Sequence, residues 1–384
     1  MKNYFNNIPV TRNIPVTRKK MMFFGCPMDC DEKYDSIQEK RNGVWTAKEF
    51  DDPLDGVMDN LGSDIPEELW NNLGSLPVPT WLGPKPRSAD RSKITTENFI
   101  SFIDNNGCKK FADEADQFVT DQILPDIPCM VGIDHSLTGG VYSALSRHYG
   151  RDNLSLIIID SHTDAVPMPV LAGAIQYDMD NNPSSVHDAN DPFLYNRFDS
   201  YNASSFVHKL VTQKQVDPKN LYIIGVSDYP EKKFLRIKDP RIKEYNNAYV
   251  DLKRMGAKII TKKECKLNPN KISGFFKNIS TPYVYISIDM DIGANNALEG
   301  VRFRNWKGLN EPQIYKLADA VSQIFSESIQ LAGMDICEID PRRAGAVFPS
   351  GKDKTYEIAA NLIRKIVFYT EHQGAITPSP VNVL

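Results

Sequence analysis

Cysteine and histidine are both scarce in this chain, with six of each among 384 residues. The cysteines (Cys26, Cys30, Cys108, Cys129, Cys265 and Cys337) are scattered and form no C-x-x-C pair, which argues against a disulfide framework or a zinc ribbon. Cys26-x3-Cys30 is a close pair, but its spacing alone does not specify a metal clip. No apolar run approaches the roughly 20 residues needed to span a bilayer, and the opening Met-Lys-Asn-Tyr-Phe lacks the apolar core of a secretion signal. A soluble, cytoplasmic protein is the expectation. Neither sign of charge dominates: 45 basic and 49 acidic residues leave a formal net charge of −4. That balance gives no general electrostatic reason to bind nucleic acid or an anionic membrane. No G-x-S-x-G elbow supports a nucleophilic serine. Small-molecule chemistry remains.

What is present is a globular composition, 41% hydrophobic and 24% charged. The hexapeptide NIPVTR occurs twice in tandem, Asn7 to Arg12 and Asn13 to Arg18, too short a unit for a repeat fold. We read residues 1–20 as a mobile arm and 21–384 as one α/β domain carrying inserted loops at about 76–95 and 165–207. The first loop is proline-rich (LPVPTWLGPKPR), and the second is rich in Asn, Asp, Ser and Pro. Short apolar runs at 21–26, 129–133, 156–159, 221–226, 257–260, 283–288 and 331–336 read as strands. Helical patterns are expected at 109–122, 140–148, 268–278, 311–325 and 355–372. Strands that are apolar almost throughout, alternating with helices, mark a mostly parallel sheet covered on both faces.

Acids and imidazoles follow these strands at their carboxyl ends, where open α/β sheets collect ligands. The segments are Gly132-Ile133-Asp134-His135-Ser136, Asp160-Ser161-His162-Thr163-Asp164, Ser287-Ile288-Asp289-Met290-Asp291 and Cys337-Glu338-Ile339-Asp340-Pro341. In extended backbone, positions i, i+2 and i+4 share a face, so Asp160, His162 and Asp164 converge, as do Asp289 and Asp291. With His135 these make two imidazoles and four carboxylates. Four negative charges repel strongly, and two divalent cations would cancel them. Oxygen donors that outnumber imidazoles, with no thiolate, favour a hard ion such as Mn(II) over Zn(II). His148, His187, His208 and His372 lack such surroundings.

In these segments the chain resembles the ureohydrolase family, the arginases and agmatinases, whose signatures are G-G-D-H-S, D-A-H-x-D and S-x-D-x-D. The similarity runs from Phe24-Gly25-Cys26-Pro27 to the terminal helix. The resemblance implies a three-layer αβα fold holding two Mn(II) ions, with a bridging hydroxide attacking a guanidinium carbon to release urea and an amine. His135, Asp160, His162, Asp164, Asp289 and Asp291 would be the metal ligands. Glu338 matches the glutamate that pairs with the substrate guanidinium, and Asp228, in Gly225-Val226-Ser227-Asp228, matches the aspartate that helps to hold the amino-acid end of arginine. Relatives commonly form trimers or hexamers, so a homo-oligomer is expected.

Three departures matter. The family's x-x-D-P after the third signature is here Ile292-Gly293-Ala294-Asn295. The proton-shuttling histidine of an H-G-x-x-F-like segment is replaced by Asn202 in Asn202-Ala203-Ser204-Ser205-Phe206, and an amide does not titrate near neutral pH. His187 or His208, in or beside the long loop, are the candidate substitutes. The Asn-rich loops also differ from those that grip the α-carboxylate of arginine, which leaves agmatine-like and peptide-bound arginine substrates open. Two other readings keep the metals: a binding or assembly subunit without turnover, and a hydrolase of formimino or other amidine compounds.

Overall fold

The computed structural model describes residues 19–368, apart from 31–33, 44–45, 48, 63–64, 268, 294–297, 305–307 and 327. The tandem hexapeptide of the expected arm, the Ala294-Asn295 departure and His372 lie outside the described residues. Eight strands build one sheet: β1 (Met21–Cys26), β2 (Trp70–Ser75), β3 (Ile127–Gly132), β4 (Leu154–Ile159), β5 (Leu221–Val226), β6 (Lys258–Thr261), β7 (Tyr283–Asp289) and β8 (Gln330–Cys337). Their order is β2-β1-β3-β8-β7-β4-β5-β6, and every pairing is parallel.

Strand alternation feeds a separate apolar core on each face. Met21, Phe23, Ile157 and Ile159 enter one, while Met22, Phe24, Leu156 and Ile158 enter the other. Helices Pro53–Leu61, Glu311–Ser322 and Thr355–Ile363 roof the first. Helices Thr96–Asp104, Gly107–Phe118, Thr138–Tyr149, Phe206–Thr212 and Pro240–Arg254 roof the second. Three layers result, held largely by burial that contributes roughly 1.5–3 kcal/mol per fully enclosed Ile, Leu or Phe. None of the described helices is long and apolar enough to cross a membrane.

Two findings depart from the sequence expectation. The connection expected at 165–207 contains helix Met168–Asn181, which starts with Pro169 in its first turn and buries Met168 and Ala172. The edge strand β2 (WNNLGS) is exposed along most of its length, so it carries no apolar alternation to read. Elsewhere boundaries shift by a few residues. The helix expected at 109–122 is Gly107–Phe118 continued by a wider turn, Val119–Ile123.

The topology positions the site. β3, β8, β7 and β4 are consecutive neighbours at the centre of the sheet, so the four chemistry-bearing segments emerge side by side. The register aligns them further, pairing Asp289 with Cys337 and Ile288 with Ile159. Gly140 lets helix Thr138–Tyr149 close onto its neighbour, since a Cβ there would fall 1.9 Å from the Ala112 carbonyl oxygen. Gly225, at φ +107°, bends β5 where its pairing to β6 shifts register, just before Ser227-Asp228.

Candidate metal centre and substrate cavity

The same local device ends three of the central strands. One carboxylate oxygen of an aspartate accepts the N–H two residues on and turns the chain: Asp134 to Ser136 at 3.0 Å, Asp160 to His162 at 2.6 Å and Asp289 to Asp291 at 2.7 Å. In Asp160 and Asp289 the second oxygen, Oδ2, is left to point inward. These two atoms lie 3.4 and 3.3 Å from His135 Nδ1, and Asp164 Oδ2 lies 2.8 Å from it. His162 Nδ1 is 3.0 Å from Asp291 Oδ2 and 3.5 Å from Asp160 Oδ1. The six residues fall into two donor groups, His135-Asp160-Asp164-Asp289 and Asp160-His162-Asp291, which share Asp160; the candidate ligand atoms of each lie within 4.8 Å of one another.

The hydrogen bonds behind His135 fix its tautomer. Ser287 Oγ donates to Asp335 Oδ1 at 2.7 Å, so its oxygen accepts from His135 Nε2–H at 2.8 Å. Tyr285 donates to the other oxygen of Asp335. With the proton on Nε2, the Nδ1 lone pair faces the aspartates. Phe206 packs edge-on against the same imidazole at 5.0 Å between centroids.

Crowding shapes the electrostatics. Burial first, then the neighbouring charges of Asp291 and Asp160, hold the Asp289 carboxyl well above the ordinary carboxylate range. Burial and the Asp160 charge likewise raise Asp164. Burial also opposes ionisation of Asp160, but the adjoining imidazoles of His135 and His162 outweigh it and keep that carboxyl low. His135 Nδ1 and Asp160 Oδ2 are buried with no ordinary hydrogen-bond partner. Orphaned donor atoms in a ring of carboxylates and imidazoles fit a pair of dications.

His135, His162, Asp164 and Asp289 floor a cavity of about 260 Å³. Glu338 enters it from the end of β8 with its Oε2 buried and unpartnered, and burial followed by the charge of Asp289 pushes its carboxyl well up. Asp164 and Glu338 both hold positive φ, +49° and +65°. Asp228 lines another wall. Its Oδ2 accepts from the Tyr249 hydroxyl at 2.6 Å, Tyr245 lies 2.8 Å behind Tyr249, and Oδ1 is buried and orphaned. Burial raises the Asp228 carboxyl.

A profile of the arginase family matches residues 19–369. The chain belongs to the arginase family. Arginase from Staphylococcus aureus strain MRSA252 is 24% identical over 260 residues, covering 65% of this chain and 74% of that one. Arginase from strain COL is 25% identical over 215 residues, covering 56% and 60%. Among solved structures, Bacillus subtilis arginase superposes with a TM-score of 0.55 at 17% identity, covering 92% of this chain and 100% of that one. Formimidoylglutamase from Bacillus subtilis subsp. subtilis str. 168 superposes with a TM-score of 0.53 at 14% identity, covering 90% and 85%. The structural likenesses establish the fold. Arginase-family enzymes are C–N hydrolases with binuclear metal centres, and this chain has side chains that could bind metal.

Of the remaining candidates, Asn202 lines the arginase-fold cavity and His208 does not. His208 is half-buried on helix Phe206–Thr212, off the cavity, because that helix turns Phe206 towards His135 instead. His187, the other substitute considered, lines the cavity. Cys30 groups with Cys108 and Asp134, with donor atoms within 4.8 Å, and not with Cys26. Tyr249, Asp335 and the cavity-lining Arg302 were not legible as site residues, since no short motif connects them to the site, and Ser287, though part of the third signature, gave no sign that it holds His135.

Proposed function

We propose that this arginase-family protein is a binuclear amidinohydrolase that cleaves a guanidino compound to urea and an amine. The observation that supports it best is the pair of donor groups joined at Asp160, with Glu338 buried in the same cavity. His135, Asp160, Asp164 and Asp289 would hold one ion, and Asp160, His162 and Asp291 the other. The oxygen-rich donor set favours Mn(II). When bound, the two ions would supply Lewis acidity and a nucleophile at neutral pH.

The chain's own residues then position the substrate. The Glu338 carboxylate accepts paired N–H bonds from the planar guanidinium fork and turns its carbon towards the floor. Water adds to that carbon, the bond from carbon to the substituted nitrogen breaks, and urea and an amine are the products. Val166, Leu171, Ile175, Phe193 and Phe303 form an apolar wall above this point. Arg302 shares the lining, but its Nη1 is ion-paired with Asp29 Oδ1 at 2.7 Å. An apolar wall suits a chain without a free α-carboxylate, which favours agmatine-like or peptide-bound arginine substrates. Asp228 Oδ1 offers an acceptor for an amine or amide N–H along the same wall. By family likeness we also propose a homo-oligomer, a trimer or hexamer.

The test is urea release by purified, Mn-loaded protein offered agmatine, arginine, guanidinobutyrate and blocked arginine peptides. Release from at least one is expected, and none from any would overturn the proposal. Glu338→Gln is expected to abolish release while metal content, measured by mass spectrometry, stays that of wild type. Unchanged turnover would exclude the guanidinium role of Glu338.

A further inference from the structure

Thiolates are missing from the cavity floor, yet two thiols meet a carboxylate beside it. The donor atoms of Cys30, Cys108 and Asp134 all lie within 4.8 Å of one another, and all three residues are buried. None of the six floor ligands belongs to this group. Cys30 and Asp134 also line the cavity, which gives a hydrated ion a route in.

Each donor sits on an anchored segment. β1 and β3 are parallel neighbours paired as far as Cys26 and Gly132, and the two chains stay together beyond the strand ends, where the Asp134 N–H donates to the Met28 carbonyl at 3.2 Å. Next to Cys30, the Asp29 N–H donates to the Leu82 carbonyl at 2.7 Å, and Lys40 Nζ donates to the Asp29 carbonyl at 2.8 Å. Asp134 Oδ1 accepts both the N–H and the hydroxyl of Ser136, at 3.0 and 2.5 Å, which fixes the carboxylate. Cys108 lies in the first turn of helix Gly107–Phe118, the helix that Gly140 lets its neighbour approach.

We propose that Cys30, Cys108 and Asp134 bind a thiophilic dication, Zn(II), at a site separate from the oxygen-rich floor. This inference stands apart from the amidinohydrolase reading. Two sulfur donors select zinc over manganese, so the chain sorts a soft ion from hard ones within one cavity. Tetrahedral zinc with bonds of about 2.3 Å to sulfur and 2.0–2.2 Å to oxygen holds its donors roughly 3.6–3.8 Å apart, a contraction of about 1 Å at most from the spacing found. Binding releases the two thiol protons to solvent, and water from the cavity fills the fourth position. Two thiolates, one carboxylate and one dication leave a net charge of −1. The surroundings suit that charge. Lys40, Arg302 and Arg342 converge on Asp29, and Arg342 also pairs with Asp340, so this buried knot carries one surplus positive charge. Lys40 is close enough to Cys30, and Arg302 to Asp134, for their charges to interact.

The experiment uses Co(II) as the probe, because cobalt bound to thiolate has a strong near-ultraviolet charge-transfer band that cobalt bound to oxygen and nitrogen alone does not. Full-length protein, reduced and preloaded with Mn(II), is titrated with Co(II) and then with Zn(II). The expected result is a band of two-thiolate intensity that saturates at a single Co(II) per chain and is bleached by Zn(II). Cys30→Ser and Cys108→Ser should each remove at least half of the band. Zn(II) affinity in either variant should fall by more than about 100-fold, beyond the loss that follows removal of an outer hydrogen-bond partner. The Mn(II) content of the floor should stay that of wild type. Wild-type protein without the band overturns the proposal, and so does a band that keeps its full intensity in either variant. Absence of urea release would count against the amidinohydrolase reading and leave this site standing.

Discussion

Ser287→Ala tests the metal centre without touching any of its six candidate ligands. Ser287 and Asp335 are fully buried, and the serine hydroxyl is both the donor to Asp335 Oδ1 at 2.7 Å and the acceptor for His135 Nε2–H at 2.8 Å. Replacing it with a methyl group leaves two buried polar atoms facing apolar surface, each costing about 1–3 kcal/mol. Part of that cost destabilises the fold, and part frees the imidazole to rotate or change tautomer, which withdraws Nδ1 from the aspartates. Removing such a partner behind a metal-binding histidine typically weakens the ion about 10- to 100-fold, or roughly 1.4–2.7 kcal/mol. The assay is Mn(II) competition with a chelator of known affinity, paired with thermal melts at fixed Mn(II). At a concentration about 100 times the wild-type Kd the ion adds roughly 2.7 kcal/mol to wild-type stability, and about 1.3–2.3 kcal/mol of that increment should vanish in the variant. Equal Mn(II) affinity in the two proteins would refute the argument that Ser287 orients His135.

Two other perturbations probe separate parts of the molecule. Tyr249→Phe removes the donor to Asp228 Oδ2, a bond worth about 1.5–3 kcal/mol when the acceptor is charged. Steady-state kinetics should show KM raised on the order of tenfold with kcat and metal content near wild type, and an unchanged KM would remove Asp228 from the substrate's path. Lys40 is buried beside Asp29, its Nζ 3.3 Å from Asp29 Oδ2, and burial lowers it to about 8. Because the unfolded chain holds that proton to about pH 10.4, folding is penalised below pH 8 and the penalty fades between pH 8 and 10.4. Urea melts at pH 8 and pH 10 should show wild type gaining on Lys40→Met by up to about 1.4 kcal/mol per pH unit; parallel curves would contradict the assignment.

The six candidate ligands and Glu338 were readable because the sheet forces their arrangement. An acid immediately after a parallel strand has little choice but to point over the carboxyl edge, and β3, β8, β7 and β4 are adjacent there. Most strands were equally plain, since Leu221–Val226 and Tyr283–Asp289 are buried on both faces and so apolar almost throughout. Helix Met168–Asn181 was hidden by its setting: only Met168 and Ala172 are buried, so its helical period is faint, and Asn and Asp residues crowd its end. His187 could not be told from His208 by sequence, because their difference arises from how the connection folds back over the cavity. Tyr249 is 21 positions from Asp228 on another element, and the Cys30-Cys108-Asp134 group draws on three distant segments. Contacts of that kind are products of tertiary packing and leave no local pattern.

Asp164 and Glu338 share a left-handed backbone, a conformation in which most side chains cost about 1–2 kcal/mol relative to glycine. A laboratory evolution that rewarded heat resistance alone would therefore drift towards glycine at these positions. The survivors would melt later and would have lost two of the carboxylates assigned to this cavity. Robustness and chemistry compete here at the level of single φ angles, and a library screened for both should keep acids at 164 and 338 and find its gains elsewhere.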